Sequence, residues 1–195
     1  MKKTILLAST NQGKTYEYQA MLKPYGYHVI NLHDIGFTQE IPEDFDDYKD
    51  NAVFKLNEVA KVYQGTIIAD DSGFEIAALN HQPGVHSARF LSELTYAEKN
   101  QHIIQQLKSQ DDRSAAFVCA LACLHDDKIW VSVNRCFGRI ADEVMEGHGF
   151  GYDPIFIPLG YEQPFSRLDP NVKNSISHRA LATKALIQYL EHVGD

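Results

Sequence analysis

Short apolar runs alternate along the chain with stretches in which apolar residues recur every three to four positions, the pattern of an α/β protein. Thr4 to Ala8 is apolar and predicts a buried first strand. Tyr18, Met21, Leu22 and Tyr25 follow at helix spacing, closed by Pro24 and Gly26, and Tyr27 to Leu32 predicts a second strand. Ala52, Leu56, Val59, Ala60 and Tyr63 form the buried stripe of a helix from about Asn51 to Tyr63. Asn51, Lys55 and Glu58 fall on a separate polar face, and spacing alone makes Lys55 a surface lysine. Ile67-Ile68-Ala69 predicts a short buried strand that ends abruptly in a turn at Asp70-Asp71-Ser72-Gly73. Thr95-Tyr96-Ala97-Glu98 has the form of a capping box, opening a helix that carries Ile103, Ile104 and Leu107. The apolar runs Ala115 to His125 and Ile129 to Val133, joined at Asp126-Asp127, predict a β-hairpin, and Ile155 to Pro158 a further strand. Leu181, Ala182, Ala185, Leu186, Tyr189, Leu190 and Val193 mark the buried side of a last helix, with Ser177 as its N-cap.

Composition narrows the class. The 195 residues, 44% of them hydrophobic and 23% charged, suffice for one domain or one domain with two lobes. No apolar run is long enough to span a bilayer, and polar Ser9-Thr10-Asn11 follows the first run too soon for a signal peptide. Cys119, Cys123 and Cys136 contain no C-x-x-C pair, which argues against a disulfide framework or a zinc site and fits a reducing cytoplasm. Cys119 and Cys123 share a strand face and are most simply core residues. A formal net charge of −8 disfavours nucleic acid, yet permits a small anionic substrate where cations gather locally. The acidic run Glu40 to Asp50 is either a solvated loop or the source of one carboxylate for a divalent cation.

Four stretches carry candidate chemistry. Ser9-Thr10-Asn11-Gln12-Gly13-Lys14, between strand and helix, either aims backbone N–H groups at an anion or is a plain capped connection. Asp70 and Asp71 end a strand, where alternation sends them to opposite faces and gives them different tasks; the plainer alternative is a pair of turn carboxylates. Gly147-His148-Gly149-Phe150-Gly151-Tyr152-Asp153-Pro154 requires a tightly bent backbone, and its aromatics offer either a flat face for a nucleobase or a plug for the turn. His178 and Arg179 lie in the first turn of the last helix, where a cation opposes the dipole unless an anion or acceptor faces it. Ala8 to Thr15 also approximates a phosphate-binding P-loop, lacking only its first glycine, and Ile67 to Asp70 imitates the accompanying magnesium aspartate. That alternative, a P-loop-like NTPase releasing phosphate, leaves the glycine-aromatic stretch and Lys173 to Arg179 unexplained.

Five motifs stand in order: Ser9-Thr10-Asn11-x-Gly13-Lys14, Ala69-Asp70-Asp71-Ser72-Gly73, Pro83-Gly84-x-x-Ser87-Ala88-Arg89, Gly149-Phe150-Gly151-Tyr152-Asp153-Pro154 and Lys173-x-x-Ile176-Ser177-His178-Arg179. Together they closely resemble the Ham1/RdgB/ITPase family of non-canonical purine nucleoside triphosphate pyrophosphatases, from about Ile5 to Leu190. The resemblance implies a long central mixed β-sheet with flanking helices, two lobes around a substrate cleft within a single domain spanning 1–195, and a homodimer. It implies hydrolysis of ITP, dITP or XTP to monophosphate and pyrophosphate with Mg²⁺. By matched position, Ser9, Thr10, Asn11, Gln12, Gly13 and Lys14 hold the triphosphate, and Lys55 matches a lysine after the Asn-Ala helix start. Asp71 becomes the metal-linked general base, with Ser72 beside it and Glu43 as the second metal carboxylate. Phe150, Gly151, Tyr152 and Asp153 enclose base and sugar, while Lys173, His178 and Arg179 complete recognition. The chain departs from the family pattern at Asp44-Phe45, at Pro164-Phe165-Ser166-Arg167 and at Ala180.

The chemistry is consistent with the residues themselves. Cleaving the α–β anhydride needs an activated water and a neutralised tetra-anion. Asp71 can take the water's proton, and Lys14, Lys55, Lys173 and Arg179 are the cations available in an acidic chain. Hypoxanthine differs from adenine in presenting an acceptor where adenine presents an amino donor, so donors from His178, Arg179 or the backbone would be left unpaired by adenine. A catalytically silent purine-nucleotide sensor would use the same residues without turnover.

Overall fold

The computed structural model describes residues 3–193; Met1, Lys2, Gly194 and Asp195 lie outside the described residues, as does the side chain of Val193 that the helical stripe had included. The chain opens with β1 (Lys3–Leu7), α1 (Gln12–Leu22), β2 (Tyr27–Asn31), α2 (Tyr48–Ala60), β3 (Thr66–Ile76) and β4 (Pro83–Gly84). It continues through α3 (Tyr96–Gln106), β5 (Ser114–His125), β6 (Lys128–Ile140), β7 (Phe156–Pro158), α4 (Pro170–Ile176) and α5 (His178–Val193). Strands hydrogen-bond in the order β2-β1-β3-β5-β6-β7, with β4 beside β3. β1 is parallel to β2 and β3, whereas β3–β4 and β6–β7 are antiparallel, so the sheet is mixed, as expected of the fold class.

The chain divides into two compact units: Met1–Asp71, Cys119–Asn134 and Arg179–Asp195 form the first, and Ser72–Val118 with Arg135–His178 the second. The first has an aliphatic core in which Ile5, Leu7, Ile68, Leu121 and Leu186 surround Tyr18, with Cys119 and Cys123 on the β5 face that the sequence assigned to the core. The second is built on aromatics. Phe117 lies 4.6 Å from Phe74 and 4.9 Å from Phe156, centroid to centroid, and Phe165 completes the cluster. Such pairs add about 0.5–1.5 kcal/mol each beyond the area they bury.

Local chemistry explains most element ends. Asn11 caps α1, its Oδ1 accepting from the Lys14 N–H at 3.1 Å. Asp47 caps α2 by accepting from Lys49 and Asp50, which starts that helix three residues before Asn51. Tyr63 lies beyond its end at Ala60. Thr95 and Glu98 form the expected capping box of α3. Asp126 and Asp127, at φ 48° and 59°, supply the left-handed pair that a two-residue hairpin turn demands.

Three expectations are corrected. The strand through Ile67 does not end at Asp70-Asp71-Ser72-Gly73; β3 runs eleven residues, through all four. Ladder bonds to neighbouring strands here override the turn preference of Asp-Ser-Gly. Tyr25 stands 53% exposed in a short 3₁₀ turn after α1 instead of continuing its buried stripe. The segment before the last helix, expected only to lead into it, is itself a helix, α4, while Ser177, extended (φ −65°, ψ 164°) directly before His178, stands at the N-cap position expected for α5.

Candidate active site

Asp70 and Asp71 are both buried, and their partners differ completely. Asp70, with no exposed surface, accepts from Lys14 Nζ at 2.6 Å, Tyr18 Oη at 2.7 Å and Arg179 Nε at 2.9 Å, with Cys119 Sγ at 3.6 Å. Asp71 accepts from Asn51 Nδ2 at 3.1 Å and lies 3.5 Å from Lys55 Nζ. The alternation of side chains along β3 thus gives one carboxylate a structural network and the other a lighter set of contacts. Burial pushes the Asp71 carboxyl up from the ordinary aspartate value, outweighing the opposing pull of Lys55 and Lys14. Its ionised form is therefore a stronger base than a surface aspartate.

Lys55 is not a surface lysine. It is 5% exposed, its Nζ donating to the Asp70 carbonyl at 2.7 Å and contacting both Glu43 and Asp71. Burial works to lower its pKa, but Asp71 and Glu43 outweigh burial and hold it above the usual lysine value. Burial likewise works to raise Glu43, and Lys55 overturns it, so that this carboxyl is lowered. Asn51, fully buried, braces the arrangement by exchanging bonds with the Phe45 backbone and donating to Asp71. Asn51 and Lys55 are four apart and share one face of α2, which is how a helix presents two functional groups together.

The Ser9-to-Lys14 turn lies in the same unit. Ser9 Oγ accepts from the Asn11 N–H at 3.1 Å, folding the turn, while Thr10, Asn11 and Gln12 stay exposed. Gln12 and Gly13, in the first turn of α1, have N–H groups with no carbonyl partner inside the helix. Ser9, Thr10 and Lys14 of this turn, with Thr38 to Ile41, Glu43 and Lys55, line a cavity of about 320 Å³. Its walls combine the Ser9 and Thr10 hydroxyls, two lysines and Glu43, and the lysines and hydroxyls are donors suited to phosphate oxygens.

Arg179 has the anion its position demanded, and that anion is internal. Its guanidinium donates to Asp70 and, at 3.0 Å, to Glu17 Oε2. Burial opposes its charge, but the two carboxylates prevail and raise its pKa. Four carboxylates, Glu17, Glu43, Asp70 and Asp71, thus meet three cations, Lys14, Lys55 and Arg179. Among the described residues no group of three or more His, Cys, Asp or Glu side chains forms a metal cage.

The second unit holds Ser72, the glycine-aromatic stretch, Lys173 and His178. Asp153 is its anchor: Oδ2 accepts from the Phe150 N–H at 2.8 Å and from Lys173 Nζ at 2.6 Å. Lys173 also lies 5.1 Å from the centre of the half-buried Phe150 ring. Tyr152 is a core plug and not a platform. It is 3% exposed, stacks on Phe74 at 5.0 Å, and donates from Oη to the Ser87 carbonyl. Buried His178 stacks on Phe117 at 4.8 Å. Gly149 and Gly151 adopt φ +89° and +66°, and a Cβ on Gly149 would meet Asp153 Oδ2 at 2.2 Å. These glycines are required by the turn.

Sequence patterning missed Asn51, Glu17 and the polar role of Tyr18. The i, i+4 spacing of Asn51 and Lys55 was a usable signal for the first; nothing local marks Glu17, 162 residues from its partner.

A profile of the Ham1 family matches residues 5–189. The dITP/XTP pyrophosphatases of Bacillus licheniformis and Bacillus subtilis are each 39% identical to the chain, which covers 98% of either protein over 97% of its own length. Among solved structures, the Coxiella burnetii HAM1 protein superposes with a TM-score of 0.86 at 35% identity, over 97% of this chain and 99% of that one. The Staphylococcus aureus Ham1 protein gives 0.84 at 34% identity with the same coverage. With a profile match across nearly its whole length and relatives well above 30% identity, the chain belongs to the Ham1 family.

Proposed function

We propose that the chain hydrolyses ITP, dITP and XTP to the nucleoside monophosphate and pyrophosphate, removing them from the nucleotide pool. The observation that carries this is Asp71: a buried carboxylate made basic by its surroundings, oriented by Asn51 and set beside Lys55. The P-loop-like alternative lacks its metal aspartate, because Asp70 is fully buried among Lys14, Tyr18 and Arg179.

In this scheme the Ser9-to-Lys14 turn and Lys55 bind the triphosphate, with backbone N–H groups and ammonium charges meeting its oxygens. Asp71 accepts a proton as water adds across the α–β anhydride, and the bridging oxygen departs with one of the two products. Ser72 contacts substrate beside it. Phe150, Gly151 and Asp153 shape the base site, with Lys173 fixing their turn and His178 contributing a donor. Two donors of Arg179 already serve Asp70 and Glu17, so its contribution is to hold Asp70.

The donor set suits Mg²⁺. Glu43 and Asp71 are hard oxygen donors brought together on Lys55, and the ion characteristically takes one or two carboxylates plus phosphate and water. When bound, the ion would neutralise phosphate charge and acidify a water. A homodimer and a cytoplasmic setting belong to the same proposal, supported by family membership; no described helix is long and apolar enough to cross a membrane.

Incubation with ITP, XTP or ATP and Mg²⁺ tests it. IMP and XMP with pyrophosphate are expected, and ATP should react poorly. Orthophosphate with a nucleoside diphosphate would overturn the proposal, and tight ITP binding without turnover would favour a sensor.

A further inference from the structure

Helix α3 presents three side chains on one face of its first turns, Tyr96, Lys99 and Asn100, at spacings i, i+3 and i+4. All three reach the same neighbourhood of the second unit. Asn100, 1% exposed, donates from Nδ2 to the Gly151 carbonyl at 3.1 Å. Its Oδ1 has no hydrogen-bond partner among the described residues, so this amide is buried for the sake of one bond. Lys99, 4% exposed, reaches the Ala88 carbonyl at 3.4 Å with its Nζ 4.8 Å from the centre of the Tyr96 ring. Tyr96 in turn meets the Tyr152 ring edge-on at 5.4 Å.

We infer that Asn100 is a positioning residue for the glycine-aromatic turn, fixing the Gly151 peptide and through it the base preference of the enzyme. Gly151 has φ +66°, a conformation in which a glycine has no side chain to fix its orientation. On its carboxyl side Tyr152 is locked by Phe74, Tyr96 and the Ser87 carbonyl. On its amino side Phe150 is tied through its N–H to Asp153. The Gly151 carbonyl is the remaining freedom in that turn, and Asn100 removes it. Without that bond the Gly151–Tyr152 peptide can rotate and change the shape of the turn that presents Phe150. Small displacements of groups that position substrate reduce rates by up to about 100-fold.

This inference rests on the proposal that the 149–153 turn contacts the base. Its test is Asn100→Asp, which keeps shape and volume but sets a carboxylate against a carbonyl, with Asn100→Ala as a second variant. For both, KM for ITP should rise about tenfold or more with kcat within threefold, and the ITP-over-ATP preference should fall about tenfold. Amide hydrogen exchange in peptides covering 147–154 should accelerate. Thr95→Ala is the control: it loosens the same helix at its cap, so it should lower the melting temperature while leaving KM and base preference unchanged. Unchanged KM, base preference and exchange in both Asn100 variants would overturn the inference. Should the wild-type protein release no pyrophosphate from ITP, the functional proposal falls. The inference is then decided by loop exchange and ITP affinity, a tenfold weakening supporting it and equal affinities overturning it.

Discussion

Replacing each of the two adjacent aspartates by asparagine should give opposite outcomes. Asp70→Asn removes a charge that has no contact with solvent and that receives bonds from Lys14, Tyr18 and Arg179. The amide that replaces it has one acceptor and one donor. With the acceptor left to Tyr18 and Arg179, its NH₂ lies against Lys14 Nζ, where 2.6 Å separated donor from acceptor. Arg179 exchanges an anionic partner for a neutral one while keeping Glu17, and the buried cluster loses the anion that Lys14, Tyr18 and Arg179 share. Removing one partner of a buried ion pair costs about 3–5 kcal/mol, a large part of the roughly 5–15 kcal/mol that holds a domain folded. With a urea m-value of about 2 kcal/mol/M, the unfolding midpoint moves down by about 1.5–2.5 M.

Asp71→Asn differs because burial already disfavours the Asp71 charge in the folded chain. Neutralising it relieves that penalty, while Lys55 retains Glu43 and the Asp70 carbonyl. Its unfolding midpoint should stay within about 0.5 M of wild type, equivalent to about 1 kcal/mol. Turnover of ITP should fall by about 10²–10⁴, the usual worth of a positioned general base. Urea titrations followed by circular dichroism, with pyrophosphate release measured on the same preparations, decide the matter. Equal midpoints for the two variants, or a stable Asp70→Asn beside an unstable Asp71→Asn, would refute the division of roles drawn from their partners.

Three further outcomes follow from the geometry. Gly149→Ala forces a Cβ onto Asp153 Oδ2 at a φ of +89°, so it should cost about 1–3 kcal/mol and raise KM for ITP, as thermal melts and initial rates will show. The buried thiols, with Cys123 pushed up to about 12 and Cys136 to about 11 by burial, should resist a thiol reagent at pH 8 in the folded protein; rapid labelling of either would show that its strand opens. Without divalent cation, the Asp71 carboxyl should titrate above the ordinary aspartate value by carbon-detected NMR. The folded chain then holds that proton more tightly than the unfolded one, so this group's contribution to stability declines as pH rises from the unfolded value through the folded one; a carboxyl titrating below the ordinary value would reverse the sign.

Features set by neighbours in sequence were legible from sequence, and those set by distant partners were not. The capping box at Thr95, the Asp126-Asp127 hairpin turn and the core face of Cys119 and Cys123 each depend on residues within a few positions. Alternation along β3 also separated Asp70 from Asp71 correctly, even though the strand continues where a turn was expected. Lys55 shows the limit. Spacing places it on the polar side of α2 but does not reveal that this side is buried there, because the carboxylates that permit its burial are Glu43 and Asp71, 12 and 16 residues away. Carboxylates that look like a solvated run from 40 to 50 include the Asp47 cap and the buried-side partner of Lys55, and Glu17 is the counter-charge of Arg179 at the other end of the sequence. On the proposed function, a protein of net charge −8 binds a tetra-anion through cations such as Lys14 and Lys55 that internal carboxylates hold in place, and a divalent cation arriving with the substrate would reduce the charge those lysines must meet.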